Sequence, residues 1–283
     1  MSKLKGVIMA AGYGTRFLPV TKTIPKEMLP IITKPAIDFI LDEFEEAGIK
    51  DIIIITHRKK KALEDYLDTE VELSSFLKLN KKEKELHSIS ARDMNFIFIR
   101  QKEMKGTGDA LLLTQEALGG CPFILAYPDD IVLANSSLSS QMAAIYKKHQ
   151  GKIKGIMACE NFEGDVSRFG VIENNSTPIH EKNLSFIKSI VEKPAKGSEP
   201  SHIISIGRYL LTCDIFPIIK KLYKNHKKGE FYLTDSLNEL AKKTNIVSYL
   251  YEGKRLDVGE PRSYVESLIY YIKNSQEYKD LLL

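Results

Sequence analysis

Gly6-Val7-Ile8-Met9-Ala10-Ala11-Gly12-Tyr13-Gly14-Thr15-Arg16 sets the frame for the whole chain: a short apolar run breaks into two closely spaced glycines. The run is apolar on both faces, the mark of a strand buried inside a parallel sheet. The small residues after it let backbone N–H groups approach a phosphate without side-chain obstruction. A tight strand–loop turn would use the same residues, so both uses stay open at this point. Two familiar phosphate loops are excluded. A dinucleotide loop needs a third small residue where Phe17 stands, and an acid where the second strand ends in Thr56-His57-Arg58. A Walker A loop needs Gly-Lys-Ser/Thr after its glycines, and the chain has none. Pro19, Pro25 and Pro30 prevent an immediate long helix. The long loop that results carries Arg16, Lys22 and Lys26, and a glycine backbone flanked by Arg16 and Lys26 suits a triphosphate.

Outward from this loop, Asp51–Thr56, Asn95–Arg100 and Pro122–Tyr127 repeat the pattern of strands apolar on both faces. Pro35–Ala47 between them places Ile37, Ile40, Leu41 and Phe44 at helical spacing, with Gly48 to cap it. Thr107–Leu118 and Ser136–His149 are expected as two further helices. Such alternation predicts a mostly parallel sheet with helices on both faces. Beyond about residue 150, Ile153–Ala158, Phe169–Ile172, Leu184–Val191 and Ile203–Leu211 follow as strands with few helices between them, so the sheet becomes mixed. Helices return at Ile215–Tyr223, Leu233–Lys243 and Pro261–Lys273. The lysine-rich stretch Lys78–Glu85 has the composition of a solvated helix face or turn.

Composition narrows the classes. Over 283 residues the formal charge is only +4, too small and dispersed to imply nucleic-acid binding. With 43% hydrophobic and 28% charged residues the chain is an ordinary globular protein. No apolar run approaches the roughly 18 to 20 residues that span a bilayer, and the basic-then-apolar start is too short for a signal peptide. Cys121, Cys159 and Cys213 lie far apart with no CxxC, which points to a reducing, cytoplasmic setting without a disulfide framework or structural zinc.

Other segments carry chemistry with more than one use. Pro128-Asp129-Asp130 ends an apolar strand, where carboxylates serve either a hard cation or a turn before Ser136. Asp257 ends a second apolar stretch with the same two uses. Glu192-Lys193-Pro194 sets a carboxylate beside an ammonium at a strand end, an arrangement for a sugar hydroxyl and a phosphate, or merely an exposed edge. Gln101 follows the NFIFIR strand with a carboxamide that offers both a donor and an acceptor, and a Gln at a strand end is otherwise unremarkable. His57, His87, His149, His180, His202 and His226 are scattered, and no nucleophile–base constellation is evident.

Residues 10–30, AAGYGTRFLPVTKTIPKEMLP, resemble the signature of the sugar-nucleotide pyrophosphorylases, with G-x-G-T-R followed by the Lys of P-K-E-M-L-P. The likeness continues in order through Gln101-Lys102-Glu103, Pro128-Asp129-Asp130, Phe169-Gly170-Val171, Val191-Glu192-Lys193-Pro194, Gly207-Arg208-Tyr209, Leu233-Thr234-Asp235 and Leu256-Asp257-Val258-Gly259. The segment from Glu64 to Leu86 resembles an insertion of the uridylyltransferases, and the chain is most like the bacterial members that join UTP to glucose 1-phosphate. The resemblance implies a Rossmann-like three-layer α/β sandwich with a mostly parallel, mixed central sheet. It implies one nucleotidyltransferase domain over 1–283, with a nucleotide-binding half to about 130, a sugar-binding half to about 260 and a C-terminal helix from 261 to 283. Arg16, Lys26 and Lys193 would then be catalytic. Ala10, Ala11, Gly12, Gly14, Gln101 and Gly106 would bind the nucleotide, Gly170 and Glu192 the sugar. Asp129 and Asp257 would hold Mg2+, with Asp130 the lesser candidate. A homo-oligomer, dimer or tetramer, is the family's usual state. Two departures stand out: Asp109 replaces the histidine of Gly-x-Gly-His-Ala, and Phe231-Tyr232 stands where smaller residues are usual.

Overall fold

A computed structural model of the protein describes every residue except 1, 2, 150, 177, 178, 180, 182, 244 and 283, so His180 lies outside the described residues. The strands are β1 (Lys5–Met9), β2 (Pro30–Ile31), β3 (Lys34–Pro35), β4 (Asp51–Thr56), β5 (Asn95–Arg100), β6 (Phe123–Ala126) and β7 (Asp130–Leu133). They continue as β8 (Gly155–Asn161), β9 (Gly170–Asn174), β10 (Leu184–Glu192), β11 (Ile203–Leu211), β12 (Ile246–Leu250) and β13 (Lys254–Asp257). The helices are α1 (Ala36–Glu46), α2 (Lys61–Leu67), α3 (Val71–Leu79), α4 (Glu83–Ser88), α5 (Thr107–Leu112) and α6 (Gln115–Leu118). After them come α7 (Leu138–Lys148), α8 (Ile215–Asn225), α9 (Leu233–Lys243) and α10 (Pro261–Asn274).

Nine strands form one sheet in the order β5-β4-β1-β6-β11-β8-β12-β10-β9. The first four are parallel. Beyond β6 only β8 and β12 pair in parallel; the other pairings are antiparallel. Alternation along β1 explains the layers. Val7 and Met9 enter a cluster with Leu111, Phe216 and Leu237 on one face, while Ile8 joins Ile37, Leu41, Phe44 and Met142 on the other. Helices α5, α8 and α9 therefore cover one side and α1 and α7 the other. Gly6 is forced by this packing, because a β-carbon there would lie 2.6 Å from the Phe44 ring. Gly48 closes α1 at φ +71, and the Ile49 N–H bonds back to Phe44 O at 2.8 Å, a Schellman closure.

Three expectations need correction. NFIFIR is not buried on both faces: β5 is the sheet's edge, paired only with β4, and Ile97 is 44% exposed. The single helix expected over Thr107–Leu118 is two, because the chain tightens at Leu113–Thr114 into i→i−3 bonds, and the buried Thr114 hydroxyl donates to Leu111 O. The C-terminal helix ends at Asn274 rather than running to 283. The insertion folds as α2 to α4, and Lys78–Glu85 is exposed throughout. Among the described residues no helix is long and apolar enough to cross a membrane.

One buried ion pair crosses these layers. The Arg208 guanidinium, wholly inaccessible, donates to Glu43 of α1 at 2.7 and 2.9 Å and to the Asp130 carbonyl at 3.1 Å. Ser139 of α7 also donates to Glu43, at 2.6 Å. Removing one member of a buried pair leaves an uncompensated charge, at a cost of about 3–5 kcal/mol. Arg208→Met and Glu43→Gln should each lower unfolding free energy by about that much in urea titrations, whereas Arg208→Met combined with Glu43→Leu should recover most of the loss. A double variant no better than the worse single would show that the two charges do not act as a pair.

Candidate active site

The C-terminal ends of the parallel strands face one cleft, the position where open α/β sheets carry ligands. Ala10 and Ala11 leave β1 buried, with the Ala10 N–H tied to Ile55 O at 2.9 Å. Gly12 follows with open space where a β-carbon would stand. Gly14 has φ +66 and packs 3.2 Å from the Lys26 Cβ, measured from its own would-be β-carbon. Thr21 Oγ1 donates to Gly14 O at 2.7 Å. The proline-stiffened loop thus folds back and sets Lys26 beside the glycines.

Lys26 Nζ meets Asp129 Oδ2 at 2.5 Å. Burial works against the Lys26 charge, but Asp129 and Glu27 outweigh it and hold its pKa above the usual lysine value. Asp129 is likewise opposed by burial, yet Lys26 keeps its carboxyl below the ordinary range. Both groups are therefore charged at neutral pH. Arg16 reaches the same corner, its Nη1 3.4 Å from Gly259 O. Beneath them Glu27 and Lys60 form a second buried pair at 2.6 Å.

Backbone register brings Asp129 and Asp257 together across 128 positions (257 minus 129). β7 and β13 pair antiparallel with Asp130 opposite Asp257, and the Val258 N–H donates to Asp129 O at 2.9 Å. The two carboxylates converge over Gly259, where a β-carbon would lie 2.9 Å from Asp129 Oδ2 and 3.2 Å from Asp257 Oδ1. Burial, then the neighbouring Asp130 charge, raises the Asp257 pKa despite Arg255 at 3.2 Å. Asp130 itself is spent inside the protein: its oxygens accept from Arg255 Nε at 2.5 Å and Gly207 N–H at 2.9 Å. Among the described residues no three His, Cys, Asp or Glu gather as a closed metal cage.

A cavity of about 270 Å³ opens beside the glycines, lined among others by Ala11, Gly12, Gln101, Gly106 and Tyr127. The buried Gln101 amide donates from Nε2 to Gly106 O at 3.1 Å and to Asp109 Oδ2 at 2.8 Å. Both amide hydrogens are thus used within the protein, which corrects the expectation that Gln101 offers donor and acceptor together: an acceptor is what remains. Gly106 lies on the cavity wall, and its lack of a side chain has a packing cause. At φ +103, the place of its side chain is filled by the Phe231 backbone, 2.5 Å away, so the glycine is required by packing. Phe231 N–H and O clamp this turn through Lys105 O and Gly108 N–H.

Across the cleft, Glu192 ends β10 directly opposite Gly170 of β9. Glu192 Oε2 accepts from Thr234 Oγ1 at 2.7 Å and lies 3.5 Å from where a Gly170 β-carbon would be. Lys193 leaves the strand at φ +47, a costly conformation for a lysine, held by its N–H to Phe169 O at 2.9 Å. Its half-exposed ammonium stands 3.8 Å from Glu192 Oε1 and 5.1 Å from the Tyr232 ring centroid. Sequence reasoning missed Arg255 and Arg208 as organisers of this cleft. Arg208 lay inside a quoted motif and Arg255 directly before another, but a lone arginine carries no sign of the carboxylates it will meet.

A family model described as nucleotidyl transferase matches residues 5–274. A UTP–glucose-1-phosphate uridylyltransferase of Staphylococcus epidermidis is 37% identical over 285 residues, covering 99% of this chain and 97% of the relative. A solved UDP-glucose pyrophosphorylase complexed with UDP-glucose superposes with a TM-score of 0.82 at 39% identity, covering 96% of this chain and 100% of that one. A UTP-bound UGPase from Acinetobacter baumannii gives 0.87 at 30% identity, covering 99% and 98%. With phosphate-compatible glycines, paired cations and convergent carboxylates set in one cleft of the same architecture, the chain belongs to the nucleotidyl transferase family.

Proposed function

We propose that the chain transfers a uridylyl group from UTP to glucose 1-phosphate, giving UDP-glucose and pyrophosphate. One observation carries this reading: Lys26, on the wall of the cavity that holds Gln101, pairs with Asp129, which converges with Asp257 over Gly259. The relatives named above act on or bind the same compounds, which supports it. A phosphate oxygen of glucose 1-phosphate attacks the α-phosphorus of UTP as the bond to the β-phosphate oxygen breaks. The attacking oxygen is already anionic, so no general base is required, in keeping with the scattered histidines. Alignment and charge neutralisation are what the protein supplies.

Arg16 and Lys26, beside the glycine backbone of residues 10–14, hold the triphosphate and the departing pyrophosphate. Glu192 accepts from sugar hydroxyls, with Thr234 fixing its carboxylate, and Gly170 stands opposite it on β9. Lys193 neutralises charge on the sugar phosphate and the α-phosphoryl oxygens. The carboxylates converging over Gly259 form a hard-oxygen donor set that fits Mg2+, which takes one or two carboxylates and completes its shell with phosphates and water. Asp129 and Asp257 would hold the ion, and bound there it would offset phosphate charge. A cytoplasmic setting goes with this reading and with three free cysteines. So does a homo-oligomer, dimer or tetramer, which would cover apolar side chains left exposed on α3, such as Phe76 and Leu79. Light scattering tests that state.

The direct test is pyrophosphate release over a grid of nucleoside triphosphates and sugar 1-phosphates. UTP with glucose 1-phosphate should give the highest kcat/KM; a lead for dTTP or another sugar would move the assignment to a sister specificity. Lys193→Ala should lower kcat by about 10²-fold or more, since its charge acts where charge grows. Wild-type turnover in that variant would remove Lys193 from the chemistry. Asp129→Asn and Asp257→Asn should each cost on the order of 10³-fold in magnesium-dependent kcat. Their combination should be scarcely worse than either alone, because groups serving one ion are non-additive. Additive losses would mean the two carboxylates serve separate ends.

A further inference from the structure

Asp109 departs from the family pattern and lies against the amide placed to meet the base. Gln101 Nε2 carries two hydrogens, and its two partners, Gly106 O at 3.1 Å and Asp109 Oδ2 at 2.8 Å, can only accept. Turned over, the amide would set its own carbonyl oxygen against a carboxylate and a second carbonyl. The network therefore allows one orientation, fixed by charge. Gln101 is 5% exposed, so bulk water cannot stand in for these partners. Tyr223 lies beside Asp109, and its ring packs edge-on against Phe231 at 5.5 Å. A histidine at this position can donate as well as accept, so it would not impose the orientation that a carboxylate does.

We infer that Asp109 is a positioning residue that sets the polarity of base recognition, holding the Gln101 amide so that only its carbonyl oxygen is presented to the base. The pocket then takes a pyrimidine with an N3–H, such as uracil, and refuses cytosine, whose N3 is itself an acceptor. The inference rests on the reading of Gln101 as the residue that meets the base. It also means that Gln101 does not separate uracil from thymine, which both carry N3–H.

The test compares UTP with CTP, in turnover with glucose 1-phosphate and in calorimetric binding of each nucleotide alone. Asp109→Asn preserves shape but removes the charge that fixes the amide and can donate to Gln101 Oε1, so that only the Gly106 carbonyl still opposes the turned amide and Nε2 can be offered to the base. The UTP:CTP ratio of kcat/KM should fall at least tenfold, through weaker UTP and stronger CTP, with KM for glucose 1-phosphate unchanged. Asp109→Ala should lower the ratio through UTP alone. A merely structural role would weaken both nucleotides alike, so an unchanged ratio in these variants overturns the inference. A wild-type chain without preference for UTP over CTP overturns the reading of Gln101 itself, which separates the two failures. Circular dichroism checks folding, and either variant suffices for the binding comparison.

Discussion

The cleft depends on a charge that has no access to water. Arg208 stands on β11 in the middle of the sheet, and in an apolar layer a guanidinium is tolerated only when its donors are met. Glu43 meets two of them, and the carbonyls of Gly207 and Asp130 meet others. Each partner belongs to a different part of the fold: α1 on one face, β11 itself, and the first residue of β7, just after the turn from β6. None of the three can shift without leaving a buried donor unpaired. The turn that carries Asp129 is thereby fixed from below, and Asp129 is left to answer to Lys26 and to ligand.

The same economy of partners decides which carboxylates remain for chemistry. Asp129, Asp130, Asp257 and Glu160 crowd one corner, and Arg255 takes contacts from the last three while stacking 5.2 Å over Phe169. Asp130 is consumed by Arg255 and by the Gly207 N–H. Asp257 keeps Oδ1 turned to the Gly259 N–H and to the convergence with Asp129. Its raised pKa, caused by burial and then by Asp130, marks a site short of positive charge. On the proposed reading, a divalent cation would supply the positive charge that Arg255 and the more distant Arg168 do not.

Much of this was legible in the residues. The runs at Val7–Met9 and Ile52–Thr56 are β-branched or apolar at every position, and a strand flanked by helices on both faces needs that. NFIFIR carries the same pattern yet lies at the edge, because strand order is settled by long-range pairing that a local run does not encode. Gly106 and Gly170 were both expected at the ligand, one at the nucleotide and one at the sugar, and Gly106 is also required by the Phe231 backbone. That contact spans 125 positions (231 minus 106) and has no local signal. Phe231 looked like a packing departure, and it is the group that clamps the Gly106 turn. Asp109 could be flagged only as a departure; its meaning needed the position of Gln101, eight residues back in sequence and on another element.

Function in this cleft is finally a matter of strand register. β7 and β13 are four residues each, and their pairing alone sets Asp130 opposite Asp257. A slip by one residue would turn Asp257 to the other face and separate it from Asp129. A two-strand ribbon this short does not hold register by backbone bonds alone. Side chains do it instead: Arg255 bridges from β13 to Asp130 on β7, Ser267 of α10 donates to Asp257 O at 3.1 Å, and Leu256 and Ile131 are buried in a shared cluster with Val258. The residues that keep the ribbon in register are thus partly those that neutralise its carboxylates. Loss of Arg255 would act on geometry and charge together, which is why an arginine rather than an apolar residue stands in this half-buried corner.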